Sequence, residues 1–166
     1  MDYYQGVVLD YLRADRTVFV NPECCIQLEG SSNPDRDTHW YCDAVAIDLR
    51  DHPTVFLCEM SYAKELKALT DRLHSWASHW EEVKHALVRD CKVDATWTVR
   101  PWLFVPAATV ERLVKKLDAM KASDGSPVFA PRITTLESVQ PWNYCSWNHR
   151  DKDTPRPSDV PASMCG

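Results

Sequence analysis

The chain has 166 residues, 45% of them hydrophobic and 26% charged, which is the balance of one globular domain with a buried core and excludes a disordered or low-complexity chain. A formal net charge of −5 argues against a protein that coats nucleic acid through bulk charge, although carboxylates gathered for a metal would themselves add negative charge. No apolar run approaches the roughly 20 residues of a membrane span, and the opening MDYYQG has neither a basic head nor an apolar stretch, so we expect no membrane segment, no secretory leader and a cytoplasmic location.

Residues 2–15 place Tyr4, Val7, Val8, Tyr11 and Leu12 at i, i+3, i+4, i+7 and i+8, the stripe of an amphipathic helix. TVFVNPECCIQL, 17–28, is β-branched and aromatic but interrupted by Asn21-Pro22. It reads as a strand, a kink or turn, and a second short strand. GSSNPDRDT, 30–38, is a loop of turn formers. Two strands follow, 39–49 and 53–60, joined by a turn at Arg50-Asp51-His52.

Tyr62, Leu66, Leu69, Leu73, Trp76, Trp80, Val83 and Leu87 are then spaced by alternating fours and threes, with no Gly or Pro between 54 and 100. The spacing predicts one helix of roughly seven turns. Its stripe would lie on a sheet, or would serve as a homodimer seam through Trp76 and Trp80. After a loop near 90–95, ATWTVRPWLFVP predicts a strand, and Ala108 to Met120 a second helix with Val110, Leu113, Val114 and Leu117 on one face. From Ala122 the chain is Pro-rich, with one short strand near Phe129 to Thr134 and a tail-like last stretch of roughly 15 residues. We therefore divide the chain into an α/β core, 1–121, and an extension, 122–166, that packs on the core and offers a second surface for a homodimer.

Seven cysteines, an odd number with no Cys-x-x-Cys pair, fit reduced and mostly buried thiols better than a disulfide framework or a structural zinc site. Cys58 has no His placed to activate it as a nucleophile. His74, His79 and His85 are spaced by 5 and 6, which does not align them as zinc ligands on one helix face. There is no Gly-rich phosphate loop. Trp142, Tyr144 and Trp147 would stack on the bases of a single strand or fold back over the core. Lys115, Lys116 and Lys121 would touch phosphates or form a solvated helix face.

The pair of strands 39–49 and 53–60 carries the clearest chemical signal. Val45, Ile47 and Leu49 alternate on one strand, Val55 and Leu57 on the other, and Asp43 and Glu59 continue the two series. With the turn centred on Asp51, Leu49 faces Pro53, Ile47 faces Val55, Val45 faces Leu57, and Asp43 faces Glu59. Opposed side chains on one face lie about 5 Å apart. Two carboxylates at that spacing repel, and a divalent cation between them relieves the repulsion. The alternative is a sheet-edge pair in which each acid is satisfied by a nearby Lys, Arg or turn amide. A register shifted by one residue also keeps apolar partners together, so the hairpin is favoured by its three-residue turn rather than forced.

With an Asp on the second strand, a Glu on the third and an αβββαβα order, residues 2 to 120 resemble the PD-(D/E)XK nuclease superfamily, the restriction-endonuclease-like fold, in which helices flank a mixed central sheet. The resemblance implies that Asp43 and Glu59 are metal ligands and catalytic acids, that Met60 lends its backbone carbonyl, and that the cofactor is Mg²⁺ or Mn²⁺. It also places a lysine two residues after the glutamate. That position is Ser61 here, which cannot supply a positive charge. Superfamily members resemble one another in letting this lysine migrate, which makes Lys64, in the first turn of the predicted helix, the candidate. An acid or amide on the first helix is implied as well, best matched by Gln5, with Glu23 and Glu29 as competitors. The implied activity is hydrolysis of phosphodiester bonds in nucleic acid, DNA in preference to RNA. Two other readings stay open: a member of the fold that binds DNA or a protein partner without cutting, and an unrelated interaction protein built around the Trp-rich helix.

Overall fold

The computed structural model describes residues 3–29 and 39–144 and the backbone of 160–161. The first stripe forms α1 (Tyr3–Arg13), burying Val8, Leu9, Tyr11 and Leu12. One sheet follows in sequence order: β1 (Val18–Gln27), β2 (His39–Asp48), β3 (Thr54–Met60), β4 (Thr98–Val105), β5 (Arg132–Thr135) and the two-residue β6 (Val160–Pro161). β1, β2 and β3 pair antiparallel, β3–β4 and β4–β5 pair parallel, and β6 is antiparallel to β5. The helices α2 (Lys67–Ser78) and α3 (Trp80–Cys91) cross from β3 to β4, and α4 (Ala107–Asp124) crosses from β4 to β5. The protein is thus an α/β fold with a mixed central sheet flanked by helices, compatible with a restriction-endonuclease-like core.

Both faces of the sheet are covered. Val45, Val55, Leu57, Leu103, Val105 and Ile133 face α2, α3 and α4. Ala44, Ala46, Phe56, Trp102 and Phe104 face α1, together with Leu136 and Tyr144 beyond β5. Two-sided burial is why β3 and β4 read as unbroken apolar runs, VFLC and WLFV, rather than as alternating ones. Each fully buried Leu or Phe there contributes about 1.5–3 kcal/mol over its exposed state. Cys24, Cys42 and Cys58 are buried in these layers as free thiols. No helix among the described residues is long and apolar enough to cross a membrane.

Three sequence expectations are corrected. The predicted single helix from Tyr62 is two helices that start only at Lys67, with a break at His79 (φ −130°, ψ 32°). No Gly or Pro causes the break. The His79 N–H turns to the Trp76 carbonyl at 3.1 Å, and its Nδ1 lies 3.2 Å from the Ser75 carbonyl oxygen that the helix would otherwise use. The ring also meets Trp40 edge-on, so the bend wraps the apolar stripe around the sheet. Second, that stripe is used inside the chain: Trp76 is fully buried and Trp80 nearly so, which leaves no Trp76/Trp80 seam for a second copy. Third, β1 is continuous. Pro22 stays paired with Ala44 because β1 is an edge strand, where a missing N–H is tolerated. Beyond residue 121, α4 runs on to Asp124 and β5 joins the same sheet; Trp147 and the tail stretches 149–159 and 162–166 lie outside the described residues.

Candidate functional site

The hairpin register is the one read from the sequence: Val45 pairs with Leu57 and Ile47 with Val55. The ladder ends at Ala44–Cys58, one step before Asp43 and Glu59. On its other side, β2 pairs Ala44 with Pro22 and Cys42 with Cys24, which sets Asp43 opposite Glu23. Glu23 has a left-handed backbone (φ 51°), and both strands change phase there. Val18 and Val20 lie on the α1 side of β1, whereas Cys24 and Ile26 lie on the other. Likewise Cys42 and Val45 share one face of β2 although they are three residues apart. A regular strand would keep odd and even positions apart. The irregularity sets Asp43 between the faces, where groups from α1 and from the end of β3 reach it.

Two groups do. The Gln5 Nε2 of α1 donates to Asp43 Oδ1 at 3.0 Å, and the Met60 backbone N–H donates to Asp43 Oδ2 at 2.7 Å. The second bond replaces the ladder bond that would have continued β2–β3, so the end of the hairpin is a carboxylate clamp. Asp43, Gln5, Met60 and Ser61 are all half-buried, at the carboxyl end of β3.

Glu59 is the buried partner, 3% exposed. Arg72 of α2 ion-pairs with its Oε2. Its Oε1 is buried and has no hydrogen-bond partner among the described residues. Burial, and then the negative charge of nearby Asp43, push the Glu59 carboxyl up to about 8, against the pull of Arg72. A buried carboxylate oxygen without a partner costs roughly 1–3 kcal/mol. No set of three His, Cys, Asp or Glu side chains among the described residues gathers to hold a metal. Two carboxylates do suit Mg²⁺, which keeps several waters and takes only one or two protein carboxylates. The donor set therefore fits a hard cation held by Glu59 Oε1, Asp43 and the Met60 carbonyl.

Of the residues singled out by sequence, the fold brings Gln5, Asp43, Glu59 and Met60 together, with Ser61 next in the chain. Its N–H donates to the Phe104 carbonyl at 2.9 Å, which continues the β3–β4 pairing past Met60. Lys64 is placed differently from the expectation: it lies in the segment before α2 rather than in a helical turn, exposed, with its backbone carbonyl accepting from Arg112. Glu29 is exposed beyond the end of β1, while Glu23 faces Asp43. Arg72 was missed. It precedes Leu73 at the margin of the apolar stripe, where an arginine reads as a solvated helix charge until the helix is laid on the sheet.

A second charged cluster marks the far end of β2. Asp48, 8% exposed, accepts from Arg50 Nε at 3.0 Å and Nη2 at 2.5 Å, and lies 3.7 Å from Arg132. Burial alone would raise its pKa, but the hydrogen bonds and charge of Arg50, with Arg132 behind them, hold it below the ordinary range. The Arg132 guanidinium stacks 4.2 Å from the Trp102 ring, so this cluster joins a strand end to the core.

Fold and site together give an α/β protein with a carboxylate pair where the pairing of a buried hairpin ends, a fold compatible with a restriction-endonuclease-like core. Over 77 residues the chain is 34% identical to a UPF0102 protein from Nocardioides sp., a stretch covering 39% of this chain and 62% of that protein. The chain thus spans less than two thirds of the curated relative it matches. No family model matches the chain, and no solved structure matches it.

Proposed function

We propose that this protein hydrolyses phosphodiester bonds of nucleic acid, DNA in preference to RNA, at the Asp43–Glu59 pair with Mg²⁺ or Mn²⁺. The observation that carries the reading is the buried Oε1 of Glu59, without a partner among the described residues, beside an Asp43 already clamped by Gln5 and the Met60 N–H. Similarity to the UPF0102 protein supports a nuclease-like family. When bound, the cation would activate a water and offset charge on the phosphate oxygens.

The chain's own residues have separable roles. Gln5 and the Met60 N–H orient the Asp43 carboxylate and spare it from searching rotamers. Glu59 offers Oε1 while Arg72 holds Oε2. Ser61 brings no charge to the position where the resembled family has its lysine, so the cation held on the acids is Arg72, through Glu59, with the exposed Lys64 as the alternative. Either would offset charge that develops on a phosphate.

A second reading, a protein of this fold that binds DNA or a protein partner without cutting, is favoured by Ser61 and by the Arg72–Glu59 ion pair, which supplies part of the charge a cation would. Nicking of supercoiled plasmid and of single-stranded circular DNA with Mg²⁺ or Mn²⁺ separates the two. Hydrolysis predicts metal-dependent nicking that disappears in Asp43→Ala and Glu59→Gln. Binding alone predicts no nicking, with a thermal shift on adding Mn²⁺ that Asp43→Ala removes. Nicking that persists in both variants would exclude this site.

A further inference from the structure

Seven large hydrophobic side chains are exposed among the described residues, and Tyr3, Tyr4, Tyr62 and Trp142 stand together. Tyr4 stacks on Tyr62, with ring centroids 5.2 Å apart and planes 23° apart, and Tyr3 meets Tyr4 edge-on. Tyr4, Tyr62 and Trp142 then line a cavity of about 430 Å³ with Pro106, Leu136 and Gln140, within the size range of ligand pockets. Trp142 is 71% exposed and Tyr62 58%, whereas Tyr144, from the same sequence cluster, is buried against Tyr11. Exposing these rings forgoes burial that the adjacent core gives to Tyr11 and Trp102.

The platform is continuous with the acid site. Tyr4 precedes Gln5, whose amide holds Asp43, and Tyr62 follows Met60 and Ser61, whose backbone leaves the end of β3. Two exposed cations stand beside Tyr62, Lys64 and the Arg112 of α4 that donates to the Lys64 carbonyl, while Glu137 is the one acid in the cavity's lining. A paired duplex hides its base faces inside its own stack, and a chain of net charge −5 holds a duplex backbone weakly through bulk charge. An unpaired strand presents both the π-faces that stack on exposed aromatic rings and a backbone that a local basic flank can follow.

We infer that the Tyr4–Tyr62–Trp142 cavity is a stacking site for unpaired DNA bases, which delivers a single-stranded segment to the Asp43–Glu59 pair. The assignment of substrate rests on the hydrolytic reading of that pair, but the stacking site is tested without it. Fluorescence anisotropy in EDTA would compare a labelled single-stranded oligonucleotide, its duplex, and an abasic strand of equal length. The single strand should bind at least tenfold tighter than the other two. Trp142→Ala and Tyr62→Ala should each lose about tenfold on the single strand, and Trp142→Phe should restore most of the loss. Both residues are exposed, so unchanged melting temperatures should accompany the losses.

Equal binding of the three ligands, or variants that bind the single strand like wild type, would overturn the stacking site while leaving plasmid nicking to judge hydrolysis. Single-strand preference in a protein that cuts nothing would uphold the stacking site and remove the hydrolytic reading. A concentration-dependent dimer that dissociates in Trp142→Ala would give the patch to a second copy of the chain and overturn the proposal.

Discussion

Arg72 occupies one oxygen of the Glu59 carboxylate, and the other oxygen is buried without a partner among the described residues. An ion pair made only for stability would satisfy both oxygens or leave the second in water. Here half of a buried acid is held and half is left open beside a second acid, so the carboxyl is balanced between its charged and its protonated form.

That balance makes stability depend on pH. Glu59 has a folded pKa of about 8 against an ordinary 4.5, so between these values the folded state binds more protons than the unfolded one. Its contribution is fully present below about 4.5 and is lost as pH rises through about 8. Urea denaturation of wild type at pH 5 and pH 8.5 should show a larger fall in stability than Glu59→Gln shows. Parallel pH profiles for the two proteins would refute the assignment.

Arg72 opposes that loss. Arg72→Ala should destabilise the protein more at pH 8.5 than at pH 5, where the acid can take up a proton instead. The guanidinium is 43% exposed, so the difference is on the order of 1 kcal/mol rather than the larger cost of breaking a fully buried pair. Denaturation midpoints at the two pH values decide it, and an equal loss at both would mean that Arg72 acts through packing.

Gln5 should act through Asp43. Gln5→Ala removes the 3.0 Å bond to Oδ1 and is expected to weaken Mn²⁺ binding about 10–100-fold, as loss of a ligand's supporting partner commonly does. Calorimetric titration with Mn²⁺ reads the affinity directly. Wild-type affinity in the variant would show that Gln5 only packs.

The Asp48 cluster should be structural. Asp48→Ala takes from Arg50 its bonds to that carboxylate and from Arg132 the same nearby charge, and should cost about 2–3 kcal/mol. Because the Asp48 pKa is lowered, its stabilisation is present above the ordinary carboxylate value of 3.8 and disappears as pH falls through and below that value. Mn²⁺ affinity should be unchanged, since Asp48 lies five positions along β2 from Asp43, about 17 Å away. A weakened metal site would disprove the separation.

Trp76→Ala should cost about 3–5 kcal/mol through the cavity it leaves. The loss should not vary with protein concentration, because Trp76 packs inside one chain. A concentration-dependent midpoint would return it to an interface.

Much of the fold was legible because burial imprints a period. The amphipathic stripe of α1, the apolar runs of β3 and β4, and the register of the hairpin centred on Asp51 are all consequences of which side chains must leave water. The break at His79 left no such imprint: the apolar spacing continues across it, and only the imidazole's contact with Trp40 and the Ser75 carbonyl distinguishes a bent pair from one rod. For the same reason the spacing predicts a helical turn at Lys64, since Tyr62 fits the stripe but stacks on Tyr4 in the open instead.

The candidate site divides along the same line. By itself the sequence determined that Asp43 and Glu59 lie on two neighbouring strands of one hairpin, because alternation and a short turn are local properties. Only the tertiary structure decided that Gln5, 38 residues from Asp43, would clamp it, that Arg72, 13 residues from Glu59, would take one of its oxygens, and that Tyr4, Tyr62 and Trp142 would meet. These partnerships form when helices settle on a sheet, and no period along the chain records which polar side chains will then face each other.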